Sequence, residues 1–180
     1  MTQLRTVLMR YRPATSIVVE SAMQAVALKP FGALGLRCVD CGVPSYKYAD
    51  KFARCPDDCP PDGLTERDKS GFHFVFDRLE DPRCFRIPAD RDPARFEETP
   101  ECAQCALSMF STEGLARAFY SRKLGKHRKF AILLGTHLAE VSLTRTHGKQ
   151  TEENGEGHFA LFEYEGVDLR SCAQMLGPLP

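Results

Sequence analysis

At 180 residues, with 43% hydrophobic and 27% charged side chains and a formal net charge of zero, the chain is long enough to bury a core and has a soluble protein's composition. No apolar run is long enough to span a bilayer. Met1 to Ser16 carries Arg5, Arg10 and Arg12 without a signal peptide's apolar segment, so a cytoplasmic location is the expectation. The zero net charge conceals alternating blocks. Residues 1–49 hold six basic against two acidic side chains, 50–101 nine against fourteen, 102–149 eight against two, and 150–180 one against six. Such segregation suits separate surfaces facing different partners.

Thr15 or Ser16 is placed to cap a helix through Ala27, with Val18, Val19, Ala22 and Val26 on its apolar side and Lys29-Pro30 ending it. Phe31 to Leu36 leads into Cys38-Val-Asp-Cys41, and Gly42 permits the tight turn that follows. Residues 44–70 read as irregular and rich in Pro and Asp. Phe72, Phe74 and Phe76 alternate with His73 and Val75, which predicts a strand, and Arg83 to Ile87 a partner strand. Asp90 to Pro100 reads as a loop. Cys102 to Tyr120 predicts a helix, with Ala106, Leu107, Phe110, Leu115, Ala118 and Phe119 available to the core. Phe130 to Leu134 and Leu138 to Leu143 predict strands joined through Gly135, followed by a loop from His147 to Gly157 and a strand from Phe159 to Tyr164. Asp168 is placed to cap a last helix through Leu176, closed by Gly177 and Pro178.

The expected fold class is α+β, a zinc-ribbon or zinc-knuckle module joined to a small antiparallel sheet with a C-terminal helix. Residues 1–129 would carry the helix and the zinc module, with a Pro/Asp-rich insertion at 44–100. Residues 130–180 would form the sheet and terminal helix, packed as one unit with the first.

Eight cysteines punctuate the chain. In a reducing compartment, pairs two residues apart are metal ligands more readily than disulfides. Two ligand sets fit the spacing. Cys38, Cys41, Cys55 and Cys59 make a compact ribbon, whereas Cys38, Cys41, Cys102 and Cys105 close a long loop. The regular spacing of Cys102-Ala-Gln-Cys105, against the prolines and acids around Cys55-Pro-Asp-Asp-Cys59-Pro, favours the second. Cys55, Cys59 and Cys84, with His73, then offer a second site or alternative ligands. Four thiolates suit structural Zn²⁺ and also an iron–sulfur centre. Cys172, on an apolar helix face, reads as a core thiol.

A second signal is cationic. Arg117, Arg122, Lys123, Lys126, His127, Arg128 and Lys129 crowd into 13 residues, and no acid occurs from Gly114 through Ala139. Phe119 and Tyr120 lie beside them. Mobile cations with aromatics suit phosphate contacts and base stacking, and so predict nucleic-acid binding. Enzyme motifs do not emerge. His137-Leu-Ala-Glu140 lacks the deaminase spacing, and no phosphate loop, His-Glu-x-x-His or Gly-x-Ser-x-Gly occurs. A metal-dependent nuclease using His137, His147 or His158 with Glu140 is the enzyme alternative, and a stand-alone zinc-ribbon DNA-binding regulator is the other.

With these residues in view, roughly residues 15–135 resemble the small zinc-containing, large-subunit-like protein of type IV CRISPR effector complexes. The likeness rests on Ser16 to Leu28, on Cys38-Val-Asp-Cys41-Gly42-Val43-Pro44, on Cys102-Ala-Gln-Cys105-Ala-Leu-Ser-Met109, and on the basic stretch ending in Lys129-Phe-Ala-Ile-Leu-Leu134. A fainter likeness, through the first cysteine pair and Phe72-His73-Phe74, is to zinc-ribbon segments of bacterial competence-like proteins. The first resemblance implies zinc on Cys38, Cys41, Cys102 and Cys105. It further implies a non-catalytic subunit of a guide-RNA ribonucleoprotein that helps recognise target DNA and bind the guide RNA beside other subunits. The insertion carrying Cys55, Cys59 and Cys84, and the 46 residues after Leu134, depart from that pattern.

Overall fold

Alternating apolar residues build an antiparallel sheet that organises the described part of the chain. The computed structural model describes residues 44–55, 58–127 and 129–180, and these belong to one compact unit. The expected helix from Ser16 to Ala27 lies outside them. In chain order the elements are α1 (Ala49–Phe52), β1 (Lys69–Val75), α2 (Pro88–Arg91), α3 (Pro93–Glu98), a 3-10 turn (Cys102–Cys105), β2 (Leu107–Phe110), α4 (Glu113–Leu124), α5 (Phe130–Leu134), β3 (His137–Leu143), β4 (Gly148–Gln150), β5 (His158–Glu163) and β6 (Ala173–Pro178). Short 3-10 turns at Arg145–His147 and Leu169–Cys172 precede β4 and β6.

The six strands run in the order β4-β5-β2-β1-β3-β6. Strands from both sides of residue 129 thus interleave in one sheet. β1 and β3 pair along seven residues, from Lys69↔Leu143 to Val75↔His137. β1 and β2 share a single pair, Phe72↔Phe110, and then diverge. Where they part, the buried His73 side chain spans the gap, its Nδ1 at 2.7 Å from the Ser108 carbonyl.

The strand period of two divides the core. Val75, Leu107, Met109, Val141, Phe159 and Leu161 form one buried cluster. Phe74, Phe110 and Leu138 pack with Ala116 and Tyr120 of α4 and with Phe130 of α5 in another. A third gathers Phe52, Ile87, Phe96, Cys105 and Phe162. Gly71 sits against the first cluster, where a Cβ would approach Met109 Cε to 2.8 Å.

Several elements differ from expectation for identifiable reasons. Phe130–Leu134 is helix, not strand: Phe130, Ala131 and Leu134 face the core at helical spacing while Ile132 and Leu133 stay exposed, and Gly135 at φ 93° stops the helix. The single helix expected over Cys102–Tyr120 is a 3-10 turn, then β2, then α4, whose start is set by Thr112 accepting from the Leu115 N–H at 3.3 Å. Arg83 to Ile87 forms no strand, because Phe85 adopts φ 56°. Asp90 to Pro100 is not a loop: Pro88 and Pro93 open two short helices, and Asp92 caps the second through the Arg95 N–H at 3.2 Å. The expected C-terminal helix is corrected as well. Asp168 does accept from the Arg170 N–H at 3.2 Å, but it caps only a 3-10 turn, after which residues 173–178 add to the free side of β3 as β6. The fold is therefore α+β, with a six-stranded antiparallel sheet ending on a strand. No helix of the described residues is long and apolar enough to cross a membrane.

Candidate metal centre and adjoining basic cavity

Two segments far apart in sequence bring four sulfurs together. Cys55 follows α1, which is anchored by buried Phe52, and Cys59 comes four residues later. Cys102 and Cys105 bound the 3-10 turn before β2. That turn is fixed by reciprocal bonds in which the Glu101 N–H donates to Gln104 Oε1 at 2.9 Å and the Glu101 carboxylate accepts from the Gln104 backbone. Cys59 and Cys102 are joined as a disulfide, with Cα atoms 5.5 Å apart. Cys55 Sγ lies 3.7 Å from Cys105 Sγ, and the sulfurs of Cys55, Cys59 and Cys105 all fall within 4.8 Å of one another. A tetrahedral ion with bonds to sulfur of about 2.3 Å holds its ligands ~3.8 Å apart, so the Cys55–Cys105 spacing already matches one edge of that tetrahedron.

The chemistry of the donors suits a soft cation. Cys105 is fully buried beside Phe52, Ile87 and Phe96. Burial, reinforced by the adjacent Cys55 sulfur, pushes its thiol up to about 12. The proton therefore stays on sulfur at neutral pH unless a metal replaces it, since a coordinating thiol is deprotonated outright. Of the residues expected to bind metal, Cys102 and Cys105 lie here, together with Cys55 and Cys59. Cys38 and Cys41 lie outside the described residues. Cys84 is in the sheet core, its sulfur accepting from the Phe76 N–H at 3.3 Å and donating to the Arg78 carbonyl at 3.4 Å. Cys172 packs against the same core and donates to the Leu169 carbonyl at 3.3 Å.

His73 also sits apart from the thiols. Nδ1–H donates to Ser108, Nε2 faces Arg91 Nη2 at 3.4 Å, and the ring stacks on Phe85 at 5.4 Å. Burial, with the Arg91 charge adding, lowers its pKa to about 3. The unfolded chain binds this proton near pH 6.5 and the folded one does not, so stability is complete above pH 6.5 and falls as pH drops below it. The slope is about 1.4 kcal/mol per pH unit down to the folded value. Chemical denaturation between pH 7 and 5 should show this slope, and His73→Gln should flatten it; an unchanged slope would place the acid sensitivity elsewhere.

Beside the sulfur cluster opens a cavity of about 610 Å³. Ala103 and Gln104, the two residues between Cys102 and Cys105 in the turn, form part of its wall. Phe119 and Phe130, with ring centroids 6.3 Å apart, line it, as do Lys123 and His127. The predicted cationic run is thus divided. Arg117 is held by Glu113 at 2.7 Å and by the Pro178 carbonyl at 2.9 Å, and Arg122 by Glu156 at 2.8 Å. Lys123, Lys126, His127 and Lys129 make no ion pair among the described residues, and Arg128 lies outside them. Tyr120, expected to be open for stacking, is buried, its hydroxyl donating to the Gly135 carbonyl at 2.9 Å. Sequence reasoning did not find Arg91 and Arg95, which enter the cavity from α2 and α3. Their signal is faint, because they lie in a segment whose prolines and acids read as a loop.

The histidines of the nuclease alternative are dispersed. His137 begins β3 opposite Val75, His147 accepts the Thr144 N–H at 3.1 Å, and His158 Nε2 bonds Ser108 Oγ at 2.5 Å on β5. Glu140 accepts from Ser70 Oγ at 2.6 Å. Compared with protein-family models, with curated proteins and with solved structures, the chain matches none.

Proposed function

We propose that this chain is a non-catalytic nucleic-acid-binding module braced by Zn²⁺ on Cys55, Cys59, Cys102 and Cys105, with the Cys59–Cys102 bond reduced. One observation carries the reading: the Cys102–Cys105 turn contributes its ends to the sulfur cluster and its middle, Ala103 and Gln104, to the wall of the aromatic, cation-lined cavity. A thiolate-bound ion there holds that wall in place, which is the work of a closed structural site. Arg91, Arg95 and Lys123, which have no carboxylate partner among the described residues, line the same cavity as the half-buried Phe119 and Phe130, an arrangement that suits phosphate contacts with base stacking. The resemblance to the zinc-containing type IV CRISPR subunit supplies the setting. In that reading the chain belongs to a cytoplasmic guide-RNA ribonucleoprotein, where it contacts guide RNA and target DNA.

The chain expressed with its neighbouring genes is expected to co-purify with a small RNA and partner proteins. The isolated chain carrying Lys123→Ala, Lys126→Ala and Lys129→Ala should bind a mixed-sequence single strand about tenfold more weakly at moderate salt, with a shallower salt dependence. Unchanged affinity and slope would remove the cationic run from the function. A discrete footprint on duplex DNA from the isolated chain would favour the stand-alone regulator.

A further inference from the structure

Seven arginines among the described residues have a carboxylate partner: Arg54, Arg67, Arg83, Arg117, Arg122, Arg145 and Arg170. Arg78, Arg86, Arg91 and Arg95 have none among those residues, and of these four Arg91 and Arg95 line the cavity. Arg91 is the more telling. Its Nε is buried with no hydrogen-bond partner, and its Nη2 faces the lone pair of the neutral His73 ring at 3.4 Å. A largely buried cation without a counter-ion is costly, and a bound anion would remove that cost. The one acid in the lining, Asp92, is already engaged as the cap of α3.

The rest of the lining is different in kind. Phe119 and Phe130 are half-buried, and Lys123 Nζ stands 5.3 Å from the Phe119 ring centroid. The walls therefore offer guanidinium groups on α2 and α3, and flat apolar rings with a cation on α4 and α5. The volume falls within the range of small-ligand sites, ample for a base with its sugar and phosphate.

We infer that this cavity receives one unpaired nucleotide of a bound nucleic-acid strand, its base against Phe119 and Phe130 and its phosphate on Arg91 and Arg95. Paired bases in a duplex cannot present a face to the rings, so the site selects a single-stranded or extruded nucleotide. Lys126 and Lys129, further along the surface, would follow the backbone of the flanking nucleotides. The inference rests on the nucleic-acid reading above and refines it to a position.

The test uses the full-length, metal-loaded chain and a single-stranded oligonucleotide carrying one 2-aminopurine. Stacking on the phenylalanines should quench its fluorescence on binding. Phe119→Leu should remove most of the quench, and Arg91→Gln with Arg95→Gln should weaken binding about tenfold and lower the salt slope by roughly one. Arg95→Gln alone, an exposed side chain with no ion-pair partner, guards against a folding artefact and should show about half that change in slope. Binding with undiminished affinity and quench in all these variants would overturn the cavity while leaving the nucleic-acid reading standing. Failure of the unmodified chain to bind the oligonucleotide would overturn both. Adenosine monophosphate competing at equal nucleotide concentration would make this a site for free nucleotides and overturn the strand assignment.

Discussion

With the proposed Zn²⁺ centre, Cys105→Ser is expected to yield metal-free and largely insoluble protein. The thiol is fully buried among Phe52, Ile87 and Phe96, and only an ion at the cluster gives it a reason to lose its proton. Metal bound by a site that exists only in the folded chain contributes its binding free energy to folding, on the order of 10 kcal/mol for structural zinc. That is comparable to the whole stability of a domain this size. Metal content measured by mass spectrometry should fall from about one ion per chain to nearly none, and Cys55→Ser should behave alike. Cys84→Ser and Cys172→Ser remove sulfurs that bond backbone carbonyls elsewhere, so both proteins should keep their metal. Soluble Cys105→Ser protein with undiminished metal would dismiss the centre. Cys38→Ser separates the proposed centre from both sets expected from spacing, each of which includes Cys38: retention of metal supports Cys55, Cys59, Cys102 and Cys105, whereas loss returns Cys38 and Cys41 to the site.

Gly135→Ala should be strongly destabilising. Gly135 joins α5 to β3 at φ 93°, a conformation that an alanine adopts only with strain, and its Cβ would collide with the Val75 carbonyl. The surroundings cannot yield. Its N–H closes α5 on the Ala131 carbonyl at 2.9 Å, and its own carbonyl holds the buried Tyr120 hydroxyl at 2.9 Å. The expected cost is about 3 kcal/mol or more, a fall in melting temperature of roughly 10 °C. Gly166→Ala is the matched control, with φ 81° but open space around the added carbon, and should cost about 1 kcal/mol. Equal losses at both positions would show that conformation alone, and not collision, sets the penalty.

What could be read from the chain follows how local its determinants are. Phe72, Phe74 and Phe76 announce β1 because alternation is a property of neighbouring residues. Five consecutive apolar residues at Phe130–Leu134 satisfy helical and extended periods alike, so only their docking on Phe74 decides. Residues 173–178 become a strand because β3 offers a free side, which nothing within that segment reveals. The same divide runs through the candidate site. The Cys102/Cys105 spacing declares a thiol pair, but its companion across the chain is chosen by how the turn packs on α1. The cationic run is visible as composition. Glu113 neutralising Arg117 is legible as a pair one helical turn apart, whereas Glu156 reaches Arg122 from 34 residues away.

The single rung at Phe72↔Phe110 makes the sheet two three-stranded rafts, β4-β5-β2 and β1-β3-β6, whose backbone ladders meet at one pair. Each raft keeps its own hydrogen-bond ladder if the angle between them changes, so a small pivot there sacrifices few backbone bonds. Ser108 rides on one raft and His73 on the other, and both border the cavity. The buried His73–Ser108 bond therefore ties the two rafts together where the ladder does not, so any pivot that parts them must first break that contact.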